Sequence, residues 1–177
     1  GTPRAQRLMS RDSRFVVLQV GTICDRKNQM VVVEALDILQ DGAVAQAIEV
    51  WFAGGIFEEA YEEKLGQAIA FRELNGSFRF MGWRSDIHEL AIGLPVAVSD
   101  AGGMPEIVTD GETGWVLEVD DPAAWAEQIL WCYHHQITCE DIGSRASDYA
   151  FQQFSSENWG KKYGQLVEKL VEIRRGD

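Results

Sequence analysis

The sequence predicts an α/β protein built on a doubly wound parallel sheet, and three observations carry that prediction. Short apolar, β-branched runs alternate along the chain with longer segments of helical periodicity. Most of the runs end at glycine or at a Ser-Asp pair, where a strand can turn back toward a helix. Repeated strand–helix units of this kind stack into a parallel sheet with helices on both faces.

Taken in order, Arg14–Gly21 (RFVVLQVG) reads as a first strand closed by glycine. Asn28–Gln40 reads as a helix with Val32, Ala35, Leu36 and Leu39 on one face, and Val31 and Val33 broaden its apolar cover. Ile48–Ala53 (IEVWFA) is a second strand ending at Gly54-Gly55. Glu58–Leu74 is an amphipathic helix with Tyr61, Leu65, Ala68 and Ile69 at helical spacing, acidic at its positive end and stopped by Asn75-Gly76. Ser77–Trp83 is a third strand, with Phe78, Phe80 and Gly82 on one side. Ser85–Leu90 makes a short helix opened by Ser85, and Gly93–Ser99 and Gly114–Val119 are two further strands. Asp121-Pro122 caps and starts a helix through Trp125, Ile129 and Tyr133. Helices at about 139–151 and 156–174 follow, the last with Tyr163, Leu166, Val167 and Leu170 on one face. Residues 1–13 are polar and arginine-rich and read as a linker, leaving 14–177 as one domain.

Composition restricts the partners. A net charge of −12 on 177 residues argues against nucleic acid and anionic membranes. An anionic small ligand would need a local cationic pocket working against that global field. Three cysteines (Cys24, Cys132, Cys139) without CxxC spacing fit free thiols in a reducing compartment. No apolar run approaches the length of a membrane span and no signal peptide opens the chain, so the expectation is a cytoplasmic protein with no transmembrane segment.

The most informative stretch is Gly93–Asp121. Pro95–Val98 is a continuous apolar run, as expected of a parallel strand covered on both faces. Ala101-Gly102-Gly103 then lets the backbone turn and approach a ligand, and Pro105 suits the first turn of a short helix. A glycine loop feeding a helix at the carboxyl end of a strand is where open α/β sheets hold anions. From this loop alone, a plain strand-to-helix turn is an equal reading.

Five segments in order carry a resemblance. VGTICDRKNQ (Val20–Gln29), WFAGG (Trp51–Gly55), FMGWRSDIHEL (Phe80–Leu90), Ala91–Asp121 nearly throughout, and Phe154–Trp159 all resemble the C-terminal, donor-binding domain of the group 1 retaining glycosyltransferases. The likeness runs over most of the chain from about Arg14. It implies one lobe of a two-lobed enzyme with paired Rossmann-like domains. It also implies transfer of a hexose from a UDP-, GDP- or ADP-sugar to a hydroxyl acceptor, with retained configuration and with no cofactor or obligatory metal. The acceptor site would belong to an N-terminal lobe, so the isolated domain should bind nucleotide without turnover. The alternatives are a non-catalytic nucleotide-binding or interaction module, or an epimerase or phosphorylase lobe of the same architecture.

The departing diphosphate needs fixed positive charge and N–H donors. The resemblance assigns Lys27 to it, at the start of the helix after the first strand, with Gly21, Thr22, Arg26, Gly102 and Gly103 around the same group. Thr22 stands where the family usually has arginine, and Arg26 is the candidate to compensate. Gly82 and Trp83 match the place where the family lays the nucleobase. Trp83 is equally readable as a stacking platform or as core. Between Leu90 and Gly93 the family carries a further strand and helix bearing two glutamates, which contact donor sugar and ribose; here only Ala91 and Ile92 stand. Arg84–Ile92 is also below the usual crossover minimum of about 10–12 residues. A strand, a helix and short loops amount to about 20–25 residues, either missing from the sequence as read or lost from the chain. Ala91–Pro95 fits the end of the family's glutamate-bearing helix, which favours the former. Glu89 and Glu106 do not occupy the glutamates' positions, and no catalytic carboxylate is assigned. Adjacent His134 and His135 point apart on a helix and lack ligand-spaced partners, so no metal is expected; interaction with a helix C-terminus suits them better. His88 reads as a surface residue, and Trp125, Trp131 and Tyr133 as packing.

Overall fold

The computed structural model describes residues 14–42 and 44–175; the expected linker at 1–13 lies outside them. Strands and helices alternate through β1 (Phe15–Val20), α1 (Met30–Ile38), β2 (Ile48–Ala53), α2 (Glu59–Phe71), β3 (Phe78–Gly82), α3 (Ile87–Ala91), β4 (Val96–Ser99) and β5 (Gly114–Leu117). The chain closes with α4 (Pro122–His134), α5 (Gln136–Phe154) and α6 (Ser156–Arg175).

The period-two pattern of β2 sends Ile48, Val50 and Phe52 to one face, where they form the core with Val33 and Leu36 of α1 and Leu65 and Ile69 of α2. Phe52 sits between Phe78 and Phe80 of β3, at centroid distances of 5.4 and 5.3 Å. Ala126 and Ile129 of α4 join this cluster beside α1, and Tyr133 meets Phe15 edge-on at 5.9 Å. The broad cover expected from Val31 and Val33 is present, since both are buried. On the opposite face, Glu49 is buried between two arginines, 2.8 Å from Arg79 and 3.6 Å from Arg14.

The parallel α/β fold is as expected, but the single continuous sheet is not. The strands form a three-stranded sheet β1-β2-β3 and a separate pair β4-β5, all parallel. The physical reason is the link from β3 to β4. Residues 83–95 hold only the five-residue α3 and no strand, so among the described residues no strand pairs with both sheets to join them. An apolar strand such as β1 would ordinarily be central and buried on both sides. Here it is half-buried along its length, and β4 buries only Val98. The expected two-face cover of Pro95–Val98 is therefore absent. The α4–α1 contact holds the pair to the rest, and α5 meets the start of β4 so closely that a Cβ on Gly143 would lie 2.2 Å from the Gly93 carbonyl oxygen.

Element ends follow local chemistry. Asp121 caps α4 by accepting from the N–H groups of Ala123 and Ala124, with Pro122 in the first turn, as expected. Helix α2 stops before Asn75-Gly76, because Glu73 takes a left-handed conformation at φ 58°. Helix α3 starts after Asp86 rather than Ser85, and the Asp86 carboxylate pairs with Arg84 instead of capping it. The apolar stripe of α6 (Trp159, Tyr163, Leu166, Val167, Leu170) is exposed.

Gly54 permits the tightest backbone approach at the ends of the strands. A Cβ there would stand 2.0 Å from the Gly21 carbonyl oxygen, whereas at Gly55 it would meet nothing within 4 Å. Gly54→Ala is expected to lower the unfolding free energy by at least about 1–3 kcal/mol. Gly55→Ala should leave it within about 0.5 kcal/mol. Urea unfolding of the two variants checks this.

Candidate functional site

The carboxyl ends of the first three strands form one row. Gly21 donates to the Ala53 carbonyl at 3.0 Å, and Gly54 donates to the Gly82 carbonyl at 2.9 Å. The pairing continues past the strands, with Ile23 N–H to the Gly55 carbonyl at 2.9 Å. Gly21, Gly54 and Gly82 therefore lie side by side, so Gly21, expected at the diphosphate, and Gly82, expected at the base, share one edge.

Lys27 ends a single 3₁₀ turn, Asp25–Lys27, and its aliphatic stem runs back across Gly21. Lys27, Arg26 and Thr22 are all exposed at this edge. Thr22, Cys24, Arg26, Phe57 and Glu58 line a cavity of about 390 Å³. Two expectations need correction here. Helix α1 begins at Met30, not Asn28, so Lys27 stands outside it. The N–H groups of its first turn are also occupied: Met30 by the Tyr61 hydroxyl at 3.1 Å, Val31 by the Asn28 carbonyl and Val32 by the Gln29 carbonyl. The end of α1 therefore offers little to an anion, and positive charge must come from side chains. Burial pushes the Tyr61 phenol up, which keeps it neutral as it accepts from Met30. The Thr22 hydroxyl faces the Cys24 sulfur at 3.7 Å.

Trp83 is decided by its exposure. It is 78% exposed, beyond the chain reversal made by Gly82 at φ 65°, and so is no part of the core. Its indole is a free stacking surface at the same edge as Lys27.

Gly102 and Gly103 lie at the carboxyl end of β4, exposed, with open space where a Cβ would stand. The short helix expected after them is one 3₁₀ turn, Met104–Glu106, containing Pro105. One polar chain joins this loop to the Lys27 loop. The Asp100 carboxylate accepts from Val119 N–H at 3.0 Å, and the Val119 carbonyl accepts from the Asn28 amide at 3.0 Å. The sequence reading missed Asn28 and Asp100; an asparagine directly after a loop lysine, a residue type that tolerates left-handed turns, was the available signal.

The remaining candidates lie elsewhere. His135 Nδ1 is 2.8 Å from the Trp131 carbonyl at the end of α4, and its ring stacks on Trp131 at 4.5 Å. That is the helix C-terminus interaction expected of this pair, and His88 is a surface residue. Trp125 and Tyr133 pack against the core, with the Trp125 indole N–H donating to the Glu118 carbonyl at 2.9 Å. Among the described residues, no three His, Cys, Asp or Glu side chains converge as a metal centre.

The profile of the family described as "Glycosyl transferases group 1" matches residues 88–149. The fold agrees over nearly the whole chain. Anabaena HepE solved with UDP superposes at a TM-score of 0.84, with 21% identity, over 96% of this chain and 53% of that one. Sucrose-phosphate synthase from Thermosynechococcus elongatus superposes at 0.79, with 19% identity, over 98% of this chain and 49% of that one. Over residues 88–149 the chain is similar to the group 1 glycosyltransferases, and its fold is that of these solved structures. The putative glycosyltransferase EpsD of Bacillus subtilis is 27% identical over 170 residues, covering 80% of this chain and 42% of that protein. The D-inositol 3-phosphate glycosyltransferase of Corynebacterium efficiens is 32% identical over 82 residues, 46% of this chain and 18% of that protein. The chain thus spans about half the length, or less, of the proteins it matches.

Burial also raises both α4–α5 thiols: Cys132 upward, and Cys139 to about 12 with Cys132 beside it. Cys139 therefore stays protonated in mildly alkaline buffer. Alkylation by iodoacetamide is expected to be at least about ten-fold slower in the folded chain than in the denatured one. Mass-spectrometric labelling kinetics check this, and equal rates would refute it.

Proposed function

We propose that the chain is the donor-binding lobe of a retaining glycosyltransferase that moves a hexose from a nucleoside-diphosphate sugar to a hydroxyl acceptor. The observation that carries this reading is the shared carboxyl edge, with Lys27 and Arg26 at one end and the exposed Trp83 at the other. That spread of charge and aromatic surface suits a ligand with a diphosphate and a base. HepE has been solved with UDP and with UDP-glucose, which supports the same ligand class here. In the reaction, the bond from the anomeric carbon to the diphosphate oxygen breaks and its electron pair stays on the diphosphate. The acceptor oxygen bonds to that carbon and gives up its proton. Lys27 and Arg26 would stabilise charge on the leaving diphosphate, which grows as the bond breaks. Trp83 would hold the base by stacking. The acceptor site and the groups that handle the acceptor proton would come from an N-terminal lobe, and the exposed stripe on α6 suits burial against one. The chain alone should then bind donor without turning it over.

A second reading, a nucleotide-binding module without catalysis, is favoured by two features. The 83–95 link carries no counterpart of the two glutamates that the resemblance implies, and Thr22 supplies no charge where the family usually has arginine. No helix among the described residues is long and apolar enough to cross a membrane.

Calorimetric titration of the chain with UDP, GDP and ADP tests the shared part of both readings. Lys27→Ala should weaken the preferred nucleotide about ten- to a hundred-fold, the worth of one charge-assisted hydrogen bond. Binding of none of the three, or an unchanged affinity in Lys27→Ala, would sink the donor-site reading. Donor hydrolysis after joining an N-terminal lobe separates the transferase from the module.

A further inference from the structure

The two halves of the proposed donor site belong to different sheets, and no ladder hydrogen bond connects those sheets. Their relative position at the carboxyl edge must therefore be fixed by side chains. Asn28 is placed to do this. It directly follows Lys27 and takes a left-handed conformation, φ 43° and ψ 50°, which asparagine adopts more readily than most residues. Its backbone N–H closes the turn on the Asp25 carbonyl at 3.0 Å. Its side-chain amide spans to the other sheet, donating to the Val119 carbonyl and to the Asp120 carboxylate, both at 3.0 Å.

The far side of this bridge is itself held. Val119 N–H donates to Asp100, which precedes the Gly102-Gly103 loop by two residues, and Asp100 N–H donates to the Leu117 carbonyl at 2.8 Å. The near side is held as well. Gln29 is 1% exposed and its amide donates to the Thr22 carbonyl at 2.9 Å, so residues on both sides of Lys27 are pinned. The Lys27 loop is thus held as a unit, and the Asn28 amide is where it bonds to the segment that holds Asp100.

We infer that Asn28 is a positioning residue for the diphosphate. Through Val119 and Asp120 it sets the distance between the Lys27 ammonium and the Gly102-Gly103 loop. This inference rests on the donor-site reading above, and it predicts more than a structural tie would. A merely stabilising asparagine would affect every ligand of the chain alike. A positioning asparagine acts only on ligands that carry phosphate, and only while Lys27 is present.

The test is calorimetry on the full chain with UDP and with uridine, or with the matching pair for whichever base binds best. Asn28→Gly keeps the left-handed backbone and removes both side-chain bonds. It should weaken the nucleoside diphosphate about three- to ten-fold and leave the nucleoside unchanged. In the Lys27→Ala background the same substitution should add no further loss. Asn28→Asp also keeps the backbone but sets a carboxylate against two acceptors, and it should weaken binding at least as much. Asn28→Asp with Asp120→Asn reverses the donor and acceptor of one bond and should recover part of the affinity, which keeps the test open if Asn28→Gly does not fold. Equal losses for nucleoside and diphosphate, an additive loss in Lys27→Ala, or no loss at all would overturn the positioning role. An unaltered affinity in Lys27→Ala itself would instead remove the donor-site reading beneath it.

Discussion

The packing of α4 against α1 is the contact on which the rest of the architecture depends. Two parallel sheets without a shared ladder would be free to slide, because sheets gain register from hydrogen bonds and β1 and β4 exchange none. Ala126 and Ile129 enter the same apolar cluster as Val33 and Leu36, and Tyr133 closes on Phe15. Burial of this kind is strong but non-directional. It brings the sheets together and leaves their fine alignment to polar contacts. The Asp121 cap and the Trp125 indole bond to Glu118 fix where α4 starts, and so fix the loop that carries Val119 and Asp120.

That division of labour explains the character of the carboxyl edge. Directional groups, mostly backbone, cluster there: the Gly21, Gly54 and Gly82 row, the Asp100–Val119 pair and the Gln29 bond to Thr22. The cationic side chains are left exposed above them. In a chain of net charge −12, two adjacent cations held at a glycine-lined edge form a local exception to the global field. On the proposed reading, such an edge selects an anion by position more than by total charge.

Much of this was legible in the residues. The strands and helices, the Asp121-Pro122 cap and the buried face of α2 all followed from periodicity and capping chemistry, since each is decided within a few residues. What the sequence could not yield was decided at long range. The division into two sheets depends on what a short link can reach in three dimensions. The occupied N–H groups of α1 depend on Tyr61, distant in sequence from Met30. The exposure of Trp83 depends on the turn at Gly82, and an isolated tryptophan carries no mark of which side it will face. Lys27 and the glycine loop could be put forward from the sequence as elements of a candidate site, whereas the asparagine that ties their loops together had no periodicity to announce it.

The buried Glu49 has a consequence for how this domain can be handled. Its carboxylate sits at 2% exposure on the face away from the core, and its two counter-charges come from opposite sides, Arg79 on β3 and Arg14 just ahead of β1. Arg14 also reaches the Gly76 carbonyl at 2.7 Å, across the whole three-stranded sheet. One residue before the first strand thus acts as a strap over the amino-terminal rim. A unit that is expressed, fused or circularly permuted intact must therefore keep Arg14 and cannot begin at Phe15. A cut one residue later would strand half of a buried charge pair and release the strap with it.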